Sequence, residues 1–154
     1  MKKIISIICL CFATVNCFAQ SDCEKRETKL LEAMGSFSAS ALYCTYGMIG
    51  GISDGYAYKA YEAKTVNDLM DSQEKLADNL VKVLEDLVTE NTLKDVNDKN
   101  YAATVIGILK GLKKQAQLLV DYVQNKTEKN MSAYDDQRKE NWKGISKLMG
   151  LDDK

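Results

Sequence analysis

Two cysteines and a cluster of tyrosines are the side chains of this sequence whose type and spacing could serve a chemical function. Cys23 and Cys44 lie 21 positions apart, and nearly every residue between them favours helix. The tyrosines lie in one short segment: Tyr43, Tyr46, Tyr56, Tyr58 and Tyr61. A thiol pair predicts a disulfide, whereas clustered tyrosines predict a recognition surface, because each ring combines a flat apolar face with a polar tip.

The pairing of the two cysteines depends on the path of the chain between them. One continuous helix would hold them about 31 Å apart, whereas a disulfide needs Cα atoms within about 7 Å. A turn at Gly35-Ser36-Phe37 would instead form a hairpin and bring the thiols together. We therefore predict an intramolecular Cys23–Cys44 bond, with a bridge between two chains and two free thiols as the alternatives.

Three of the four glycines in the tyrosine segment form a row. Gly47, Gly51 and Gly55 recur every four residues, so in a helix they line one face. Each helical glycine costs about 1 kcal/mol relative to alanine, so a row of them indicates a reason such as close approach by another helix. We predict that the row is a helix-packing or binding face, and a groove for an apolar ligand is the alternative.

The first 19 residues, MKKIISIICLCFATVNCFA, have the pattern of a secretory signal peptide. Two lysines precede an apolar run that is shorter than the roughly 20 residues of a membrane span. Cys17-Phe18-Ala19 supplies a cleavage site before Gln20. The segment resembles the signals of exported proteins of Gram-negative bacteria. We predict a signal peptide over residues 1–19, one domain over residues 20–154, and a periplasmic or extracellular location.

Export changes the charge and the cysteine content of the chain. Removing Lys2 and Lys3 from the 21 basic residues leaves 19 against 22 acidic ones, a net charge of −3. This balance argues against a nucleic-acid partner, which requires a basic surface. Only Cys23 and Cys44 remain, as an even pair in an oxidising compartment.

Residue types exclude several classes of active site. The chain contains no histidine, which removes Ser-His and Cys-His pairs and histidine-ligated metal or haem. Two cysteines are too few for a four-thiolate zinc or iron–sulfur site. The segment GMIGGISDG lacks the Gly-Lys-Ser/Thr ending of a phosphate-binding loop. We therefore expect no enzyme activity, no cofactor and no metal, and we identify no catalytic residue.

Composition and periodicity predict helices along the whole mature chain, which contains no proline. The clearest signal is an unbroken heptad pattern of apolar side chains: Ala102, Val105, Leu109, Leu112, Ala116, Leu119 and Val123. Similar spacing recurs from Val66 to Leu87 and from Met131 to Met149. We predict an all-α protein, an antiparallel four-helix bundle with helices at about 38–62, 66–90, 99–126 and 130–149.

An N-terminal helical arm is predicted at about 22–34. One helix over residues 22–62 would extend past its bundle partners by several turns, and a break near Gly35-Ser36 avoids this overhang. The Asn- and Asp-rich stretches 91–100 and 125–130 predict loops, because these side chains compete for backbone hydrogen bonds. Gly150 predicts the end of the last helix.

Two function classes fit these features. The first is an exported, non-enzymatic bundle that binds another protein or an envelope component, with oligomerisation possible. The second is a carrier of a small hydrophobic ligand, with a cavity near the glycine row. Trp142, the only tryptophan, lies on the last helix among lysines. It either closes the core or belongs to an amphipathic face for a partner or lipid headgroups.

Overall fold

The part of the chain that the structure describes is helical and contains no strand. The computed structural model describes the backbone of residues 2–151 and the side chains of residues 22–151. In chain order the helices are α1 (Lys2–Ala57), α2 (Ala63–Thr89), α3 (Val96–Gln124) and α4 (Glu128–Leu148). They pack against each other as a four-helix bundle, which confirms the predicted all-α class. The predicted signal peptide over residues 1–19 lies outside the described side chains.

The chain divides into two compact units, Met1–Phe37 and Ser38–Lys154. The second unit contains the bundle. It begins at Ser38, where the first core helix was predicted to start. In the first unit, described residues 22–37 are helical, and the side chains of Leu30 and Phe37 are exposed.

The predicted break near Gly35-Ser36 is wrong. Helix α1 includes both residues, because glycine and serine are tolerated inside a helix and no proline forces a turn. Without that turn the reason for an intramolecular bond between Cys23 and Cys44 is lost. The structure contains both cysteines as free, exposed thiols.

The end of α1 lies earlier than predicted, at Ala57 instead of residue 62. Lys59 stops the helix in the left-handed conformation with φ 61°, and Asn91 ends α2 in the same way with φ 55°. Gly150 does so after α4 with φ 64°, which confirms the predicted stop. There the amide of Leu151 donates to the carbonyl of Ser146 at 2.8 Å, the bond that closes such a helix end.

Helices α3 and α4 begin in the polar stretches for which we predicted loops. The Asp95 side chain accepts a hydrogen bond from the amide of Asn97 at 2.6 Å and caps α3. The Thr127 hydroxyl accepts from the amide of Asn130 at 3.2 Å and caps α4. Each cap satisfies an amide that the first turn of a helix leaves unpaired.

Helix α3 supplies the centre of the hydrophobic core. All seven residues of its predicted heptad are buried, each at most 5% exposed. Six of them, all except Ala102, pack in one cluster with Leu42 and Ile49 of α1, Met70 of α2 and Ile145 of α4. Full burial of one such side chain stabilises the fold by about 1.5–3 kcal/mol, so this shared cluster fixes the relative positions of the bundle helices.

Candidate functional site

Three aromatic rings meet on the surface of the bundle where α1 and α4 lie side by side. Tyr43 and Tyr46 are three residues apart on α1, so their side chains neighbour each other on one face. The ring of Trp142 lies 6.3 Å from that of Tyr43 and 5.4 Å from that of Tyr46, measured between centroids. These distances are favourable for aromatic contacts. We call these three residues the Trp142 cluster.

A surface pocket opens beside this cluster. It has a volume of about 330 Å³ and is lined by Tyr46, Asp135, Arg138, Lys139 and Trp142. Four of these residues recur at three- and four-residue spacing on α4, which places them on one face of that helix. We call this site the Trp142 pocket. It combines an aromatic wall with one carboxylate and two cations.

The guanidinium of Arg138 is the charge in the pocket that is best placed to bind a ligand, because it is partly buried and has no ion-pair partner among the described residues. The side chain is half-buried, and a hydrogen-bonding interaction with the Tyr46 hydroxyl raises the pKa of Arg138, with a smaller contribution from the charge of Asp54. Among the ion pairs formed within residues 22–151, none involves Arg138 or Asp135. Lys139 does have a partner, since it lies 3.8 Å from Asp136 in an exposed pair.

A layer of buried polar side chains lies behind the pocket and holds α4 against α3. The Asn141 amide nitrogen donates to Gln115 Oε1 at 2.8 Å, and Gln137 donates to Asn141 Oδ1 at 3.0 Å. Since Asn141 precedes Trp142, this layer fixes the helix turn that presents the tryptophan.

Tyr134 belongs to the same buried region. Burial raises the pKa of its hydroxyl, while interactions with Ser53 and Gln115 oppose the increase. Those two side chains are close enough to affect the pKa, yet neither forms a hydrogen bond of good geometry with the Tyr134 hydroxyl. Within the described residues this buried hydroxyl therefore has no hydrogen-bond partner.

The five predicted tyrosines do not form one surface. Tyr43 and Tyr46 join the Trp142 cluster, whereas Tyr56 lies where its hydroxyl donates to the Val123 carbonyl at 3.5 Å. The amine of Lys126 lies 4.7 Å from the centre of the Tyr56 ring. Tyr58 and Tyr61 lie beyond the end of α1, and Tyr58 is 86% exposed. Only the first two are therefore part of the candidate site.

Within the described residues, nothing packs closely against two of the three members of the predicted glycine row. Gly47 and Gly51 are exposed, and a Cβ atom built on either would have no neighbour within 4 Å. At Gly55 a Cβ would lie 2.5 Å from the Tyr61 ring, which belongs to the loop after α1 and not to another helix. Among the described residues, the buried side of α1 is instead formed by Leu42, Ile49 and Ile52.

We expect the double substitution Gly47→Ala and Gly51→Ala to stabilise the bundle by roughly 1–2 kcal/mol. Alanine gains about 1 kcal/mol of helix propensity at each open position. Urea unfolding followed by circular dichroism measures the change. Gly55→Ala is the matched control and should gain less, since its Cβ displaces the Tyr61 ring. A less stable double variant would show that something does pack against the row.

The close approaches that require glycine lie elsewhere, at positions that the sequence reasoning missed. A Cβ on Gly111 of α3 would clash with Asn141 Oδ1, and one on Gly144 of α4 would lie 3.2 Å from Ile108. Arg138 and Asp135 were likewise not predicted as site residues. The available signal was the polar Gln115 next to the heptad of α3, four residues after Gly111.

A second concavity of about 510 Å³ lies in the first compact unit. Its lining comes from a single helix segment: Asp22, Lys25, Arg26, Thr28, Lys29 and Glu32. One helix cannot enclose a ligand, so the smaller Trp142 pocket, which two helices form, is the better candidate.

Two features are absent from the described part of the chain. None of their helices has both the length and the apolar content to cross a membrane. No group of three or more potential metal ligands comes together among them.

The fold and the site together define a four-helix-bundle protein with an aromatic, charged pocket between two neighbouring helices. No protein-family model, curated protein or solved structure matches this chain. The function is therefore argued from the geometry of the Trp142 pocket.

Proposed function

We propose that this chain is an exported, non-enzymatic bundle protein that binds another protein or an envelope component through the Trp142 pocket. One observation carries the proposal: Trp142 is 39% exposed and Tyr43 49% exposed, beside an arginine without an ion pair. Trp, Tyr and Arg are the residue types that most often dominate binding energy at protein interfaces.

The rigidity of the site supports this function. Both helices that form the pocket are anchored in the core, α1 by Leu42 and Ile49 and α4 by Ile145. Aromatic side chains held on packed helices lose little conformational entropy when a partner binds, because few rotatable bonds remain to be ordered. The pocket is therefore suited to recognition without rearrangement of the backbone.

The open glycine row also favours a binding module over a carrier of small hydrophobic ligands. A carrier requires an apolar cavity near the row, whereas Gly47 and Gly51 face open space. They follow Tyr43 at successive turns of α1, so their exposed backbone extends the surface available to a partner beyond the pocket.

Site-specific photo-cross-linking in the producing cells tests the proposal. A benzophenone amino acid replaces Lys139 at the rim of the pocket, or exposed Lys82 on α2 as the control position. We expect a discrete cross-linked species from position 139 that Trp142→Ala abolishes and that position 82 does not form. The same species from both positions, or its survival in Trp142→Ala, would reject the pocket as the binding site. N-terminal sequencing of the recovered protein checks export, with Gln20 expected as the first residue.

A further inference from the structure

Arg138 has unused hydrogen-bonding capacity at the wall of the Trp142 pocket. A guanidinium carries five N–H donors in a planar fork. Among the described residues only the Tyr46 hydroxyl affects the pKa of Arg138 through hydrogen bonding, whereas Tyr134 and Asp54 act through charge alone. No carboxylate oxygen in residues 22–151 lies within the 4.0 Å of an ion pair with it. A half-buried cation in this position leaves donors available for a ligand.

We propose that the Trp142 pocket receives a carboxylate side chain of a partner protein, with an apolar residue beside that carboxylate packed on the Trp142 and Tyr46 rings. This inference rests on the proposed binding function and specifies the chemistry of the partner. The guanidinium fork matches a carboxylate in two parallel hydrogen bonds, and the two rings offer flat apolar faces beside it. The pocket volume of about 330 Å³ is that of a small ligand site.

The charges of the lining favour a carboxylate over a phosphate. Asp135 lines the pocket together with Arg138 and Lys139, so the lining carries a net charge of +1. Asp136 near Lys139, and Asp54, whose charge acts on Arg138, each offset part of that charge. Asp135 repels any anion, but it repels a doubly charged phosphate about twice as strongly as a singly charged carboxylate at the same distance. A peptide segment with an acidic side chain therefore fits better than a lipid phosphate.

The single tryptophan of the chain makes the pocket directly observable. Trp142 fluorescence in the full chain is titrated with acetyl-Gly-Glu-Phe-Glu-Gly-amide and with the neutral analogue in which glutamine replaces both glutamates. We expect the acidic peptide to bind about fivefold more tightly or better, since paired hydrogen bonds from a guanidinium to a carboxylate are stronger than those to a neutral amide, and solvent screens part of this gain. Equal dissociation constants for the two peptides would overturn the inference.

Variants of the only two arginines supply the matched controls. Arg138→Gln should bring the two dissociation constants within about twofold of each other, whereas Arg26→Gln, in the other compact unit, should leave the preference unchanged. Arg138→Lys keeps the positive charge but lacks the planar fork, so it should retain a reduced preference for the acidic peptide. This variant replaces Arg138→Gln in the test if Arg138→Gln does not fold. A preference that survives in both Arg138 variants would overturn the role of this residue.

Lipid vesicles test whether the pocket binds an anionic membrane surface instead of an acidic peptide. A fluorescence change with phosphatidylglycerol vesicles, absent with phosphatidylcholine and lost in Arg138→Gln, would replace the acidic peptide by a membrane surface and overturn the inference. A different result would contradict the proposed function, namely the absence of a cross-linked species from position 139. Cross-linking without any preference for the acidic peptide rejects only the carboxylate.

Discussion

Replacing Leu112 by alanine is expected to lower the free energy of unfolding by about 3 kcal/mol. Leu112 is fully buried in the centre of α3 and belongs to the core cluster. The substitution removes apolar contacts and leaves a cavity that packed helices on several sides cannot collapse to fill, and such changes cost about 2.7–5 kcal/mol. This is a large share of the roughly 5–15 kcal/mol that stabilises a typical domain.

Leu76→Ala is the matched control, with the same change of side chain on α2 at a position that is 45% exposed. It should cost less than about 1 kcal/mol, because much of the side chain already contacts water. Urea unfolding followed by circular dichroism measures both variants on the same scale. Equal losses for Leu76 and Leu112 would show that α3 is not the centre of the core.

The sequence was sufficient to predict α3 because its signal is both local and redundant. Seven apolar residues share one face, and burial of that face is favourable against any set of neighbouring helices. The same reasoning identified the polar stretches around Asp95 and Thr127 that cap α3 and α4. The periodicity of apolar residues shows both that a helix forms and which of its faces is buried. Neither conclusion requires knowledge of the helices that pack against it.

The site was only partly predictable, because its geometry depends on which helices are neighbours in the bundle. Tyr43 and Tyr46 were selected by residue type, but their contact with Trp142 requires α1 and α4 to be neighbours. Arg138 acquires its role from the same juxtaposition, and nothing in the spacing of α4 alone distinguishes it from the nearby lysines. Residues from helices far apart in sequence cannot be assigned to one pocket before the packing is known.

Two of the predictions for α1 that differ from the structure have a common physical cause. A glycine row on α1 and a Gly-Ser pair at residues 35–36 were each interpreted as a tertiary feature from local spacing. Glycine costs a helix only about 1 kcal/mol, and neighbouring residues with good helix propensity compensate for that cost. The continuous α1 shows that the Gly-Ser pair imposes no break. The open space at Gly47 and Gly51 shows that these two glycines impose no close contact among the described residues.

Gly111 is the glycine that the packing requires, and Gly111→Ala is expected to destabilise the bundle by about 2 kcal/mol. The new methyl group would displace Asn141, whose amide donates to buried Gln115. Each buried polar group left without its partner costs about 1–3 kcal/mol, which exceeds the gain of about 1 kcal/mol from helix propensity.

The control for this prediction lies one turn earlier on the same helix. Gly107 is exposed and a Cβ there has no neighbour within 4 Å, so Gly107→Ala should stabilise the protein by about 0.5–1 kcal/mol. The same Gly→Ala change therefore has opposite signs at two positions of α3. Stabilisation at both positions, measured by urea unfolding, would refute the close approach of α4 at Gly111.

A double-mutant cycle with Asn141→Ala separates the clash from any other effect at Gly111. If the methyl group acts by displacing Asn141, Gly111→Ala should cost little in the Asn141→Ala background, where that side chain is already absent. Because Asn141 precedes Trp142 on α4, Gly111→Ala should also shift the Trp142 emission, whereas Gly107→Ala should not. A shift confined to Gly111→Ala would link the buried amide layer to the geometry of the Trp142 pocket, and an additive cycle would refute that link.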